Sequence, residues 1–334
     1  MAKNNQQYGA SNVLVRVYEK SLLSPEYFER LVRAKNTEDV DQILSETIYD
    51  EYISEMVNGN IEEVLTDALR DAYEQIFKVS PSPQINEYIS LRYTYHNIKI
   101  NFKDVLMERD LSHLSIPISP ISSRAIDYAV GSGESHRLPE LYLESIVEAR
   151  SAYEEYRDLY GIDVILDRRY LTHLRALAGE IGDDKLIAYT ERVIDYQNII
   201  TLVRAMNQKR TRNFLNAVLS SSGSIPKAEI MNLAQQGFEA VARFYKRTHL
   251  GKMIDELDVT EDKLSTLDLE ALIDREKMLQ MHEGKRVATG PLPIIAYIHA
   301  KEVEIMNLRI IYYAKQSNMS IDEIRERMRI NYVT

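Results

Sequence analysis

The chain has 334 residues, a formal net charge of −10 and no cysteine. Its 45% apolar and 28% charged residues are typical of a globular protein and exclude a largely disordered one. The acidic balance argues against a duplex-binding surface, and the lack of cysteine excludes a disulfide framework or a thiolate metal site. The chain opens with a polar stretch, and no run approaches the roughly 18 apolar residues of a membrane-spanning helix, so we expect a soluble protein of a reducing compartment.

The first part of the chain predicts helices separated by stop signals. Asn36 supplies a cap, and the acidic residues after it a first turn, for a helix that runs to Leu44. Apolar residues then recur at i, i+3 and i+4 from Ile61 to Ile76, the spacing of an amphipathic helix. The Ser-Pro-Ser-Pro run at 80–83 breaks that helix, and a long helix is expected over about residues 84–109.

The middle part opens with a segment that cannot be a regular helix. Residues 111–123 contain two prolines among Leu and Ile, and their apolar side chains need a partner. Helices are then expected over residues 140–160, 163–179 and 183–213. The serine-rich run 220–224 is interpreted as a flexible connection.

The last part again predicts helices only. Residues 260–262 suggest a capped helix start, a further helix is expected over 267–281, and residues 282–286 form a polar break. Ser320 and Glu323 have the spacing of a capping box, so a final helix begins there. No alternating run of Val, Ile and Thr bounded by turns predicts a strand, and we expect an all-α fold.

A short asparagine motif recurs four times. In each copy a Val, Ile or Leu follows the asparagine, and a β-branched residue stands three positions after it. The four motifs are centred on Asn12, Asn97, Asn198 and Asn307. The intervals between them are 85, 101 and 109 residues, and three units of similar length fit between four motifs. We therefore predict three similar helical modules, residues 1–110, 111–220 and 221–334.

The last motif lies on the strongest helix pattern of the chain. One stripe of that helix consists of Ala296, Ala300, Val303, Asn307, Ile310 and Ala314. The stripe predicts a core helix with one buried polar group. For all four asparagines we favour a structural role, a buried amide bonded across a helix pair and fixing its register, over a functional amide.

No set of residues predicts chemistry. The sequence starting at His282 resembles a zinc-binding helix motif, but Arg286 stands where the second histidine is needed. The Gly131-Ser132-Gly133 run lacks the third glycine and the Lys-Ser/Thr pair of a phosphate loop, and we interpret it as a loop. The seven histidines include no pair at i+3 or i+4, and no nucleophile motif accompanies them. We predict no catalytic residue, no cofactor and no metal.

Two ends of the chain resemble a known family. Residues 304–311 (EIMNLRII) and 320–328 (SIDEIRERM), with Gly290-Pro291-Leu292 upstream, look like the closing motif of the C subunits of archaeal and bacterial V/A-type ATPases. Residues 15–24 and 47–49 resemble the opening motif of that family, whose eukaryotic relative is called the d subunit. The resemblance covers essentially the full length, and its motifs are packing patterns rather than a reaction signature.

The resemblance implies three helical modules around a pseudo-threefold axis, arranged as a funnel. It implies a non-catalytic, peripheral rotor component at the cytoplasmic face of the membrane. Its partners would be the central shaft subunits and the membrane rotor ring subunits, between which it passes torque during ATP-driven ion transport or ATP synthesis. The transported ion, proton or sodium, and the direction of the motor stay open. The alternative is an all-α enzyme or helical-repeat scaffold unrelated to rotary motors.

Two short segments are the candidate partner surfaces under this resemblance. They are Ile116, Pro117 and Ile118, and Gly290, Pro291 and Leu292. The alternative for each is packing against its own module. The Asn198 motif lacks the basic residue found at Arg309, so interface roles cannot be copied from one module to another.

Overall fold

The computed structural model describes residues 7–54, 60–157, 159–260 and 264–330. Seventeen α-helices lie in these ranges. The single β-type pairing within them is an isolated bridge between Val259 and Leu264. The predicted all-α fold is therefore confirmed, and none of the described helices is long and apolar enough to cross a membrane.

Helices in the first half of the chain are α1 (Gly9–Tyr18), α2 (Pro25–Arg33), α3 (Thr37–Leu44), α4 (Asp50–Ser54), α5 (Ile61–Val79), α6 (Pro83–Met107), α7 (Ser123–Ser132) and α8 (Glu140–Tyr156). Those of the second half are α9 (Leu159–Ile181), α10 (Asp184–Asn207), α11 (Arg212–Val218), α12 (Lys227–Leu233), α13 (Phe238–Tyr245), α14 (Gly251–Ile254), α15 (Thr266–Gly284), α16 (Leu292–Gln316) and α17 (Ile321–Arg327). Short 3-10 turns cover Glu19–Ser21 and Ser112–Leu114.

Several predicted helix ends are confirmed. The Asn36 side chain accepts from the amide of Asp39 at 2.9 Å. Ser320 and Glu323 form the predicted capping box at the start of α17. The break at residues 80–83 separates α5 from α6, and the proline-rich segment after α6 contains only a short 3-10 turn. The helix predicted over 183–213 is instead two helices, α10 and α11. The helix start predicted at residues 260–262 falls partly outside the described residues.

The chain folds into two compact units. Unit 1 comprises residues 1–86 together with 274–334, and unit 2 comprises residues 87–273. The chain passes from unit 1 to unit 2 within α6 and returns within α15. This division reflects compactness, whereas the division into three modules rests on the repeated motif, so the three modules stay a prediction.

Unit 1 is built around α16. This helix packs against α1, α3 and α5, and α17 packs against α2. The prediction of one buried polar group on α16 is wrong, because Lys301, Glu304 and Lys315 are buried together with Asn307. A helix covered by neighbours on several sides cannot leave every charged residue in water. Each buried charge has a partner, since Lys301 pairs with Glu304 and Lys315 donates to a backbone carbonyl.

Unit 2 is a bundle in which α9 packs against α8, α10 and α11. A continuous apolar core runs from Tyr196 on α10 to Ile273 on α15. The short helices α11 and α12 pack against α10 and against each other. The long helix α10 thus presents one face to a set of short elements and the loops between them.

Candidate functional site

Three of the four asparagine motifs build the same hydrogen-bonded structure. In each, the side-chain amide donates to the carbonyl of one loop residue and accepts from the amide of that same residue. The donor and acceptor distances are 2.8 and 2.9 Å for Asn97 with Ile116, 3.0 and 2.9 Å for Asn198 with Ser220, and 3.0 and 2.8 Å for Asn307 with Arg329. We call these three pairs the asparagine clamps.

The clamped residue occupies the same place in all three. It lies two positions after the end of the short helical element that follows the long helix: the Ser112–Leu114 turn, α11 or α17. The structure buries the asparagines, as their apolar stripes suggest, but their partners are loop backbone groups rather than a second helix. A carboxamide carries both a donor and an acceptor, so one side chain satisfies both polar groups of a peptide unit. Each clamp therefore fixes the loop that leaves a short helix.

Asn12 belongs to the same motif but makes different contacts. Its amide donates to the carbonyls of Ala288 at 3.1 Å and Gly290 at 3.2 Å. Its side-chain oxygen is buried and has no hydrogen-bond partner among the described residues. Arg16, one turn later on α1, donates to the carbonyls of Gly284 and Val287. The two side chains attach α1 to the segment that leads into α16.

A second polar side chain stands one turn before each clamp asparagine. Thr94 hydrogen-bonds the hydroxyl of Ser119 at 2.7 Å, close to the residue that Asn97 clamps. Asp195, three residues before Asn198, is fully buried. Its carboxylate accepts from the hydroxyl and amide of Ser224 and from the amide of Ile225 at 3.1 Å. The prediction that residues 220–224 form a flexible connection is wrong, because Asn198 and Asp195 hold both ends of the run.

The Asp195 site is tightly packed. A Cβ added to Gly223 would lie 2.2 Å from Oδ1 of Asp195, so any larger residue there would force the carboxylate or the backbone to move. His249 approaches the same carboxylate at 3.6 Å. Burial lowers the pKa of His249, and the charge of Asp195 opposes that effect. Burial also raises the pKa of Tyr245, with a smaller contribution from the same carboxylate. These groups form a structural cluster around one buried charge.

Glu304, in unit 1, is the polar side chain that stands one turn before the third clamp asparagine, Asn307. Its carboxylate accepts from the amide of Leu23 at 2.6 Å, from the hydroxyl of Tyr49 at 2.7 Å and from Lys301 at 2.7 Å. Lys301 also donates to the Tyr49 hydroxyl at 2.9 Å. Burial, and then the charge of Glu304, raise the pKa of Tyr49 well above its ordinary value, so the phenol stays a donor. We call Lys301, Glu304 and Tyr49 the buried ion-pair cluster.

An open groove of about 570 Å³ lies beside this cluster in unit 1. We call it the α1 groove. Its lining includes Lys301 from α16, apolar groups from α1 and α5, and two carboxylates from α4. The lining residues are Val17, Tyr18, Ser21, Thr47, Ile48, Asp50, Glu51, Tyr52, Ala68, Ala72, Gln75, Tyr297 and Lys301.

The segments predicted as partner surfaces are mostly covered. Of the first, Pro117 is exposed, Ile116 is half-buried and clamped by Asn97, and Ile118 is buried. Of the second, Gly290 and Pro291 are buried and Leu292 is half-buried. Gly290 has a φ of 82° and its carbonyl accepts from Asn12, which gives it a packing role. Pro117 is the one exposed member of the two segments, and their role as partner surfaces stays a prediction.

Neither weak chemical motif forms a binding site. Gly133, with a φ of 77°, caps the C-terminus of α7, and Arg150 donates to the carbonyl of Val130 at that helix end. The backbone groups at a helix C-terminus are carbonyls, whose partial negative charge does not attract a phosphate, and the Arg150 cation beside them is paired with Glu154. His282 lies near the end of α15, and no three His, Asp or Glu side chains converge as a metal site in the described ranges.

Sequence reasoning missed the two buried carboxylates. Asp195 and Glu304 look like charges on a solvated face, yet each stands three residues before an asparagine that lies on an apolar stripe. Residues three apart share a helix face, so this spacing was an available signal for burial.

Nearly the whole chain matches proteins of one family. The model of the ATP synthase (C/AC39) subunit matches residues 11–327. The C subunit of the V-type sodium ATPase of Enterococcus hirae is 31% identical over 326 residues, which cover 98% of this chain and 99% of that protein. The C subunit of the A-type ATP synthase of Methanocaldococcus jannaschii is 22% identical, covering 95% of this chain and 85% of that protein. That of Desulfurococcus sp. (strain SY) is 25% identical, with coverage of 96% and 90%. The chain therefore belongs to the ATP synthase (C/AC39) subunit family, whose members are non-catalytic subunits of V-type and A-type ATPases.

Proposed function

We propose that the chain couples the central shaft of a V/A-type ATPase to its membrane rotor ring. Family membership makes it a subunit of a rotary ATPase and a peripheral part of a membrane complex. The single observation that carries the proposal is the match to C subunits over nearly the full length of both partners. In this role the chain sits at the cytoplasmic face and transmits torque during ATP-driven ion transport or ATP synthesis. The alternative of an enzyme or scaffold unrelated to rotary motors does not fit the family.

The internal construction suits a part that transmits force. A body that passes torque must resist local deformation, and loops are ordinarily its softest elements. In this chain the loops after three short helices are bound by asparagine clamps, and Asp195 binds one of them a second time. The three equivalent clamps also support the proposal that the chain contains similar helical modules.

Affinity purification from the native host tests the assembly. The tagged chain is isolated from membranes solubilised in mild detergent, and the bound proteins are identified by mass spectrometry. We expect the shaft and ring subunits of a rotary ATPase in stoichiometric amounts. Recovery of neither, from a host that expresses the complex, contradicts the proposal.

Removal of the chain tests coupling. Membrane vesicles from a strain that lacks the chain should lose ATP-driven ion transport, because nothing joins the shaft to the ring. ATP hydrolysis by the released catalytic part should persist. Adding back the purified chain should restore transport, and undiminished transport without the chain would rule out the coupling role.

A further inference from the structure

The helix α1 carries an apolar stripe on its exposed side. Val13, Leu14 and Val17 are 65%, 40% and 53% exposed, and Ala10 one turn earlier is exposed as well. The spacing i, i+3, i+4 and i+7 is that of a helix face packed against another helix. The opposite side of α1 already supplies Ser11, Asn12 and Val15 to the core. The exposed stripe is thus a second packing face without a partner in the described part of the chain.

The stripe continues into the α1 groove through Val17. The groove adds Ile48, which is 42% exposed, and its lining also contains Ala68 and Ala72, which are themselves buried. The stripe and the groove together form one continuous surface along α1, which is apolar on the helix and mixed apolar and polar in the groove.

The charges at this surface are acidic. Asp50 and Glu51 line the groove and are exposed, and neither carboxylate pairs with a basic side chain within the described ranges. The ammonium of Lys301 is neutralised by Glu304 and does not offset them. Lys20 is exposed one turn beyond Val17 but does not line the groove. The groove therefore presents two uncompensated negative charges beside an apolar face.

We propose that this surface binds an amphipathic helix from another subunit of the same ATPase, one that carries Lys or Arg beside its apolar stripe. The proposal rests on the proposed function, because it needs a partner subunit within the complex. The apolar side chains of that helix pack on Val13, Val17 and Ile48, and its basic side chains face Asp50 and Glu51. Complementary charges beside an apolar contact set the orientation of the partner and make binding depend on salt.

Two other occupants fit less well. A second copy of the chain, paired through this same surface, would bring Asp50 and Glu51 towards their own equivalents, and like charges repel. A membrane surface that contains anionic lipid would also face these carboxylates unfavourably. An amphipathic helix with basic side chains can pack on the apolar stripe of α1 and pair with the carboxylates of Asp50 and Glu51 at the same time.

Single-cysteine crosslinking locates the partner. Because the chain has no cysteine, Val13→Cys and Val17→Cys each introduce one reactive site. The variants are assembled into the complex in their host and treated with a maleimide–benzophenone crosslinker, and the crosslinked peptides are sequenced. We expect about fivefold or greater protection from maleimide in the complex relative to the free chain. We also expect crosslinks to a helix with an apolar stripe flanked by Lys or Arg.

Ile321→Cys on α17 is the matched control, since Ile321 is 39% exposed and does not line the groove. Equal labelling of Val13→Cys in the free chain and in the assembled complex overturns the proposal while leaving the proposed function intact. Crosslinks only to a second copy, to lipid or to a segment without basic residues also overturn it. Failure of the wild-type chain to join any rotary ATPase is a different result, because it removes the proposed function as well.

Charge reversal tests the acidic part. The double variant Asp50→Lys/Glu51→Lys should weaken association with the purified remainder of the complex about tenfold at low salt, and the difference should shrink as salt is raised. Glu326→Lys is the control, because Glu326 is exposed on α17 outside the groove. Circular dichroism verifies that both variants are folded. Equal binding by the folded double variant and the control overturns the charge complementarity.

Discussion

The carboxylate of Glu304 accepts a 2.6 Å hydrogen bond from the backbone amide of Leu23, which lies 281 residues earlier in the chain. The same carboxylate binds the hydroxyl of Tyr49 and the ammonium of Lys301, both of them buried. One charged side chain thus joins the N-terminal segment to the last long helix inside unit 1. The energetic importance of this contact can be measured directly.

Removing both partners of the buried Lys301–Glu304 pair should cost less than the sum of the two single losses, which are measured in Lys301→Met and Glu304→Gln. Lys301→Met leaves Glu304 as a buried unpaired charge, and we expect a loss of about 3–5 kcal/mol in the free energy of unfolding. The double variant Lys301→Met/Glu304→Gln removes both charges and should lose clearly less than the sum of the single variants. Urea denaturation of the four proteins completes the cycle. Additive losses would show that the pair does not interact.

The clamp on Ser220 should stabilise unit 2. Asn198→Ala leaves the amide and the carbonyl of Ser220 without their partner, so we expect a loss of about 1–3 kcal/mol in the free energy of unfolding. Asn213→Ala, an exposed position on α11, should change it by less than about 0.5 kcal/mol. Hydrogen exchange at Ser220 reports the local effect. An unchanged exchange rate in Asn198→Ala contradicts the clamp.

A side chain at position 223 should destabilise unit 2. A Cβ there would lie 2.2 Å from Oδ1 of Asp195, and the backbone or the buried carboxylate must move. We expect Gly223→Ala to lower the melting temperature by several degrees, equivalent to about 1–3 kcal/mol. Gly131→Ala, in α7 with open space around the added Cβ, should be neutral or stabilising. Equal melting temperatures for the two variants would disprove the close approach.

Ionisation of the Asp41 carboxyl should lower the free energy of unfolding as pH rises. Burial, and then the charge of Glu38, raise the pKa of Asp41 to about 6, from an ordinary value of 3.8. Oδ1 of Asp41 is buried without a hydrogen-bond partner among the described residues. The folded state therefore binds the proton more tightly than the unfolded state. The stability from this group is fully present below about pH 4 and is lost as pH rises through 6.

The variant Asp41→Asn tests this dependence. It should be more stable than the wild type at pH 7 by about 1 kcal/mol, since water partly screens the half-buried carboxyl. The difference should vanish at pH 4, where the wild-type carboxyl is protonated when folded. Chemical denaturation at both pH values provides the measurement. A constant difference at pH 4 and pH 7 would exclude titration of Asp41 as the cause.

The sequence alone determined the all-α class, the caps at Asn36 and Ser320 and the repeated asparagine motif. These features are local, because helix periodicity and capping depend on residues within a few positions of each other. The opening and closing motifs at the two ends of the chain carried the resemblance to the C subunits of V/A-type ATPases that the family comparison confirms. Motif spacing, however, did not identify what each asparagine binds.

Only the tertiary structure decided those partners. Asn198 binds a loop two residues beyond α11, Asp195 fixes a serine-rich run that composition suggests is flexible, and Glu304 meets Leu23 from the other end of the chain. The sequence does not distinguish a charged residue that will be exposed to water from one that will be buried beside a partner. The free energy that separates the two cases comes from groups distant in sequence, which are brought together only when the helices pack.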